Sequence, residues 1–225
     1  MVIELNNLKF ELNRDQRTAM VIGRNEPQKV INIPSVIVYD DIEYQITFIG
    51  YNAFKFCKEL IDIIIPNSII EIECAAFYGC ESLKEIIIPD SVTRVHGGVD
   101  MSLSAWGAFE ECGNLKRVTI SNSMTEIEDL TFRGCKKLTS IIIPDSITSI
   151  GEMAFERCSS LRSLIIPNNV TTIGYHAFAE CSNLVAIIPD SVTEIVGNPF
   201  WRCQEVIYKN KKINASALCY ISNIE

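Results

Sequence analysis

The chain has 225 residues, of which 48% are hydrophobic and 21% are charged, and its formal net charge is −8 at pH 7. The negative charge argues against a nucleic-acid partner, because proteins that bind phosphate backbones present basic stripes. No apolar run reaches the length of a membrane-spanning helix, so the sequence predicts a protein that does not span the membrane.

Residues 1–33 lack the pattern that dominates the rest of the chain, and residues 1–47 form one N-terminal segment. Between residues 36 and 47, apolar and polar residues alternate on either side of Asp40 and Asp41, which is typical of a β-hairpin. Because the open end of a solenoid would expose its core, we expect this segment to form an N-terminal cap with a hairpin.

A repeat occupies residues 48–203. Seven cysteines recur at intervals of 23, 32, 23, 23, 23 and 22 residues, and a phenylalanine lies three residues before each of them. The cysteines are Cys57, Cys80, Cys112, Cys135, Cys158, Cys181 and Cys203, and the phenylalanines are Phe54, Phe77, Phe109, Phe132, Phe155, Phe178 and Phe200. A fixed period of about 20 to 50 residues indicates a solenoid of stacked coils.

Each repeat divides into two extended segments and a turn. Residues 138–143 show the period of a short strand, and Pro144 ends it because proline has no N–H to donate. Residues 147–150 predict a second extended segment, Gly151 permits the next bend, and we expect a turn or two of helix around Ala154-Phe155. The predicted fold class is α/β: a β-rich superhelical solenoid of about seven coils of ~23 residues, with short parallel strands, short helical turns and capped ends.

The repeat cysteines form one column when the coils are stacked. Stacking brings neighbouring cysteines near the distance of a disulfide, but their number is odd, and free cysteine packs well as a small hydrophobic side chain. We therefore predict buried thiols. Cys74 and Cys219 lie outside the column and are expected to be exposed.

The outward-facing residues of the first strand are unusually apolar. Successive side chains of a strand point to opposite faces, so the residues between the two inward isoleucines face outward. They form an apolar strip roughly 24 Å long at the spacing of parallel strands. We call it the strand-face strip, and its members are Ile64, Ile87, Thr119, Ile142, Ile165 and Ile187. Such a strip indicates a contact with a protein or a ligand, although β-branched residues favour strands even without a partner.

Two further features are candidates for partner binding. Four basic residues flank the strip: Lys84, Lys116, Arg117 and Arg162. The third repeat also carries an insertion at residues 96–107, which contains His96 and Trp106. Insertions in solenoids often lie on the binding face; the alternative is a tolerated surface loop with Trp106 packed on a neighbouring coil.

The sequence shows no arrangement typical of an enzyme or a metal site. It has no nucleophile elbow, Gly-rich phosphate loop or zinc-protease motif, and only His96 and His176 are available as histidine bases. The spacing of Cys74, Cys80 and His96 does not match that of the ligands in known zinc sites. The Asp or Asn after the repeat prolines is explained by side-chain bonding in a turn rather than by calcium. We predict that the protein is not an enzyme and binds no cofactor and no metal. The exposed aromatic residues do not form a platform on which a carbohydrate could stack.

Residues 204–225 depart from the repeat. Val206 takes the leucine position, but Lys209 and Lys211 fall where isoleucines belong. Polar residues at these positions suit the end of a solenoid, so we predict a C-terminal cap.

The runs of the form I-x-I-P-x-S-V-T-x-I-G-x-x-A-F-x-x-C between Ile63 and Cys203 resemble the BspA-like, Treponema-type leucine-rich repeat of bacterial surface proteins. The resemblance covers about residues 30–203. It implies a leucine-rich-repeat solenoid in an exported or surface-attached protein. Residues 1–12 lack the pattern of a signal peptide, so we expect the cell surface or a secreted location if an export signal was removed, and the cytoplasm otherwise.

The features together predict a non-enzymatic module for protein interaction or adhesion, which binds through the strand-face strip and the insertion. The resemblance implies a host, matrix or other bacterial surface protein as the partner. The alternative is a structural repeat protein that self-associates through the strip as a weak homo-oligomer.

Overall fold

The computed structural model describes residues 1–98, 105–208, 211–213 and 221–222, which contain twenty β-strands and no helix. In chain order the strands are β1 (Val2–Leu5), β2 (Leu8–Asn13), β3 (Thr18–Arg24), β4 (Val30–Asn32), β5 (Val36–Tyr39), β6 (Ile42–Ile49), β7 (Asp62–Ile64), β8 (Glu71–Ile72), β9 (Glu85–Ile87), β10 (Arg94–Val95), β11 (Arg117–Thr119), β12 (Glu126–Ile127), β13 (Ser149–Ile150), β14 (Ser163–Ile165), β15 (Thr172–Ile173), β16 (Val185–Ile188), β17 (Glu194–Ile195), β18 (Glu205–Tyr208), β19 (Lys211–Ile213) and β20 (Ile221–Ser222). Within this part of the chain there is no helix that could cross a membrane.

The N-terminal strands lead directly into the solenoid. Strands β1, β2 and β3 form an antiparallel meander, and β3 pairs in parallel with β6. Asp40 and Asp41 form the turn between β5 and β6, with φ angles of 51° and 58°, as a two-residue hairpin loop requires. Because β4 pairs with β7 and β6 pairs with β8 in parallel, the first turn precedes the Phe-Cys repeats. The solenoid therefore has about eight turns rather than seven.

Two ladders of parallel strands run along the solenoid. One contains β4 and β7, β9 and β11, and β14, β16 and β18, and a bridge from Thr119 to Ile142 continues it. The other contains two-residue strands, in which Ile127, Ile150 and Ile173 lie in register and are buried. Strands β19 and β20 add antiparallel partners to β18 and β17.

The third side of each coil is a run of turns, so the predicted α/β class and its short helical turns are wrong. Met153 and Arg157 have φ angles of 52° and 62°, and a left-handed residue every fourth position prevents a helical turn. The N–H groups instead alternate between two kinds of acceptor. Phe155 donates to the carbonyl of Ala177 in the next coil at 2.7 Å, whereas Glu156 donates to Met153 in its own coil at 3.1 Å. The fold is a β-solenoid of the leucine-rich-repeat type.

The phenylalanine column is the centre of the core. All seven rings are fully buried, and neighbouring centroids are 5.0–5.6 Å apart with interplanar angles of 2–16°. Offset stacking of this kind adds to the free energy of burying the rings. The nine extra residues of the insertion do not interrupt the column, since Phe77 and Phe109 on either side are 5.0 Å apart.

The repeat cysteines are free thiols, as predicted, and all except the half-buried Cys203 are buried. Six of the seven donate a hydrogen bond from Sγ to a carbonyl of the preceding coil, and Cys57 accepts one from Nε of Arg24. Cys158 donates from Sγ to the carbonyl of Phe132 at 3.3 Å, and Cys181 donates to Phe155 at 3.1 Å. Cys74 is half-buried rather than exposed, and Cys219 lies outside the described residues.

Charged side chains link the coils along the turn side. Arg133 donates to the carboxylates of Glu110 at 2.7 Å and Glu156 at 2.5 Å, and both glutamates are buried. Removing one partner from such a group leaves a buried charge uncompensated. Loss of one of these contacts therefore lowers the free energy of unfolding more than loss of an exposed ion pair does.

Candidate functional site

The strand-face strip lies in register on one surface of the solenoid. Ile87 pairs with Thr119, Thr119 with Ile142, and Ile165 with Ile187. Its five isoleucines are 47–84% exposed, with Ile142 the most exposed. Because the neighbouring residues of each strand point into the core, the exposure follows from the alternation of the strand.

The structure extends the strip by one member that the sequence analysis missed. Ile207 pairs with Ile187 and is half-buried. Val206 pairs with Ala186, whereas the sequence analysis placed it at the leucine position. Leu184, the predicted partner, and Ala186, the observed one, are two residues apart and both face inward, so Val206 is buried but every position after it is displaced in register. Lys211 lies in β19 and pairs with Tyr208, and Lys209 lies outside the described residues.

Two shallow grooves lie on the surface of the solenoid, and the lining of the first includes Ile64 and Ile87 of the strip. The first has a volume of about 550 Å³ and is lined by Ile61–Ile65, Ile87, Lys84, Glu85 and Arg117. Arg117 donates to Glu85 at 2.6 Å, and this bond lowers the pKa of the Glu85 carboxyl. Apolar and charged groups therefore share one concave surface.

The second groove lies beside the C-terminal coils. It is lined by Ser160, Arg162, Asn183 and Gln204. Lys116, the fourth flanking basic residue, is exposed. Lys84, Arg117 and Arg162 therefore line grooves.

Trp106 does not join the strip. Its ring packs edge-on against Tyr78, with a centroid distance of 4.8 Å, and the Nζ atom of Lys55 lies 4.1 Å from the Trp106 centroid. These contacts are on the turn side of the coils. The structure thus separates two groups that the sequence analysis assigned to one surface; residues 99–104 of the insertion lie outside the described residues.

One exposed and two half-buried aromatic residues meet on the turn side, in a group that was not predicted from the sequence. Phe56 packs edge-on against Tyr78 with centroids 5.3 Å apart, and Tyr78 in turn contacts Trp106. The contributing residues come from three consecutive coils, so their separation along the chain hid the group. Aligning the repeats would have placed Phe56 and Tyr78 at adjacent positions of successive coils.

His96 lies beside glutamates rather than cysteines. Its Nε2 atom is 2.8 Å from an oxygen of Glu71, and ligand-type atoms of Glu71, Glu73 and His96 lie within 4.8 Å of one another. All three side chains are half-buried. The signal for this group was the 23-residue interval between Glu73 and His96, which places them in successive coils.

The turn after the first strand uses its acidic residues for hydrogen bonds between coils. The N–H of Asn122 donates to the Asp90 carboxylate at 2.8 Å, and the Asn169 side chain donates to the carbonyl of Asp145 at 2.6 Å. His176 stacks on Tyr175, with a centroid distance of 3.9 Å, and lies parallel to Trp201. The turn residues Asp90 and Asp145 and the ring of His176 therefore have structural roles.

Comparison with known proteins identifies the repeat. A family profile described as a BspA type leucine rich repeat region matches residues 29–99 and 105–223 in six copies. No curated protein matches the chain.

Two solved structures share the fold. A leucine-rich repeat protein from Eubacterium ventriosum is 22% identical with a TM-score of 0.74, over 94% of this chain and 54% of that one. The leucine rich repeat protein of T. pallidum, TpLRR, is 21% identical with a TM-score of 0.56, over 94% of this chain and 83% of that one. The repeat profile covers most of the sequence and the coils stack as in these solenoids, so the chain belongs to the BspA-type leucine-rich repeat family.

Proposed function

We propose that the protein is a non-enzymatic interaction module whose partner binds along the strand-face strip and its basic flank. The observation that supports this is the in-register row of exposed isoleucines beside a groove. Full burial of an apolar side chain is worth roughly 1.5–3 kcal/mol, so a partner that covers the row gains much of its binding energy there. Family members are generally protein-interaction modules of bacterial surface-type proteins.

The charges beside the strip favour a partner of opposite sign. The chain carries a net charge of −8, yet Lys84, Lys116 and Arg162 lie beside the strip together with the ion pair of Arg117 and Glu85. Complementary charges steer encounter and fix the register of a complex. The partner is therefore a protein that presents apolar side chains flanked by carboxylates, and adhesion to a host, matrix or bacterial surface protein fits that description.

A triple substitution in the strip tests the proposal. Ile87, Ile142 and Ile165 are changed to serine, and binding to a panel of purified matrix and bacterial surface proteins is measured by biolayer interferometry. The exposed side chains should not be needed for folding, so we expect an unchanged thermal unfolding midpoint and a loss of at least about tenfold in affinity.

A matched variant controls for the loss of apolar surface. Val38, Ile70 and Val196 are exposed β-branched residues outside the strip, with exposures of 62%, 41% and 41%. Their replacement by serine should leave affinity unchanged. Equal affinity of the wild type and the strip variant for every bound partner would remove the strip from consideration.

A further inference from the structure

The aromatic group on the turn side has the shape of a cage. The Phe56 and Tyr78 rings meet at 83° with centroids 5.3 Å apart, and the Tyr78 and Trp106 rings meet at 82° with centroids 4.8 Å apart. The Nζ atom of Lys55 lies over all three faces, at 5.7 Å from Phe56, 5.3 Å from Tyr78 and 4.1 Å from Trp106. One ammonium group thus already occupies the space between three rings.

The solenoid backbone holds the walls of this cage in place. The N–H of Phe56 donates to the carbonyl of Tyr78 at 2.7 Å, and the N–H of Trp106 donates to Gly98 at 2.9 Å. The Phe56 ring lies on Gly79, where an added Cβ would be 2.7 Å from the ring. These contacts hold the rings in place. Phe56 is 55% exposed, so solvent reaches the group at this ring.

Charged side chains of both signs lie near Tyr78. Burial raises the pKa of the Tyr78 hydroxyl, and the charges of Glu110 and Glu111 raise it further, against the opposing effect of Arg133. Lys136 also lies 3.7 Å from Glu111. Because Arg133 and Lys136 pair with Glu110 and Glu111, the attraction of the cage for a cation comes from the ring faces.

The chemistry of the cage fits a quaternary ammonium better than it fits lysine. A lysine ammonium is strongly hydrated and carries three N–H donors, for which ring faces are poor acceptors. A quaternary ammonium has no N–H group and loses little hydration on entering an aromatic cage. We propose that Phe56, Tyr78 and Trp106 bind a quaternary ammonium group, and that the flexible side chain of Lys55 occupies the site until the ligand displaces it.

This site is independent of the strand-face strip. It lies on the turn side of the first three Phe-Cys repeats, and the insertion supplies one wall through Trp106. A ligand here does not require the partner proposed for the strip, and the failure of either proposal leaves the other standing.

The test uses choline as the probe and 3,3-dimethyl-1-butanol, its neutral isostere, as the matched ligand. Binding is measured by isothermal titration calorimetry on the full chain. We expect choline to bind and the neutral isostere to bind at least about fivefold more weakly, since the charge supplies the cation–π attraction. Lys55→Ala should bind choline about two- to fivefold more tightly because the internal competitor is gone.

Two cage variants and one control complete the design. Phe56→Leu and Trp106→Leu keep apolar volume but remove a ring face, and each should weaken choline binding about fivefold or more. Tyr175→Ser removes an exposed aromatic residue outside the cage and should have no effect. Circular dichroism confirms that each variant is folded.

Free trimethyl-lysine and choline distinguish the source of the ammonium. Comparable affinities indicate recognition of the ammonium group alone, and a clear preference identifies a protein side chain or a small molecule as the carrier; both results support the cage. The proposal is overturned if neither binds wild type or Lys55→Ala, or if the neutral isostere binds as well as choline.

Discussion

Cys135 shows how the repeat uses a thiol. Its Sγ atom donates to the carbonyl of Phe109 at 3.4 Å, and burial raises the pKa of the thiol. The same cause acts on Cys112 and Cys158 in neighbouring coils. A thiol is the smallest apolar side chain that can also satisfy a carbonyl at this position, which explains a column of cysteines without disulfides.

These pKa shifts make stability depend on alkaline pH. A thiol whose pKa is raised in the folded state keeps its proton when the unfolded thiol, with a pKa of about 8.5, loses it. The stabilisation is complete below that value and falls by about 1.4 kcal/mol per pH unit and per thiol above it. Urea unfolding between pH 8 and 10.5 should therefore show a shallower loss of stability in Cys135→Ala than in wild type. Identical slopes would mean that Cys135 ionises in the folded protein.

Gly79 combines two demands at one position. Its φ is 66°, in the left-handed region, and an added Cβ would strike the Phe56 ring. Gly79→Ala should lower the free energy of unfolding by about 1–3 kcal/mol. Gly113→Ala is the control, because an added Cβ there meets nothing within 4 Å. Chemical denaturation of both variants checks the difference, and equal stabilities would contradict it.

At the level of the element, the sequence predicted the strands better than the turns. Alternating apolar residues and a terminal proline specify an extended segment, and the strip residues between them face outward as expected. The turn segment has apolar spacing compatible with a helix, but Met153 and Arg157 adopt left-handed conformations. Hydrogen bonds to the next coil stabilise those conformations. The sequence of a single repeat does not show these bonds, so the turns could not be predicted from it.

Contacts between coils also explain which parts of the candidate sites could be predicted and which were missed. The strip follows from the period of one strand, so its register could be read from the sequence. Phe56, Tyr78 and Trp106 meet only through stacking of successive coils, and the path by which Trp106 reaches back to Lys55 depends on side-chain packing. Ile207 was missed because Val206 was aligned with Leu184, two residues before its actual partner Ala186.

The stacked rings give a prediction for the element as a whole. Phe132 stacks on Phe109 and Phe155, whereas among the described residues Phe200 stacks on Phe178 only. Phe132→Leu should therefore lower the free energy of unfolding by about 1 kcal/mol more than Phe200→Leu, since one aromatic pair is worth about 0.5–1.5 kcal/mol beyond burial. Guanidinium titrations of both variants measure the difference, and a larger loss in Phe200→Leu would contradict it.

At the scale of the whole molecule, the strip raises the question of self-association. A partner of different charge is the proposed occupant, so wild type should keep the mass of one chain, 25.3 kDa, across a wide range of concentrations in light scattering. Association that rises with concentration and disappears in the triple-serine strip variant would instead identify a second copy as the occupant. The Val38, Ile70 and Val196 variant again serves as the control.

On the turn side, the backbone hydrogen bonds between described coils run in one direction. Phe54 donates to Ala76, Phe132 to Ala154, and Phe178 to Pro199, always from one coil to the next. Peptide dipoles aligned head to tail add together, as they do in a helix. The turn side therefore carries an aligned peptide dipole, whose positive end lies at the coil that contains Phe200 and Arg202. Each further coil of such a stack adds to this dipole in the same direction.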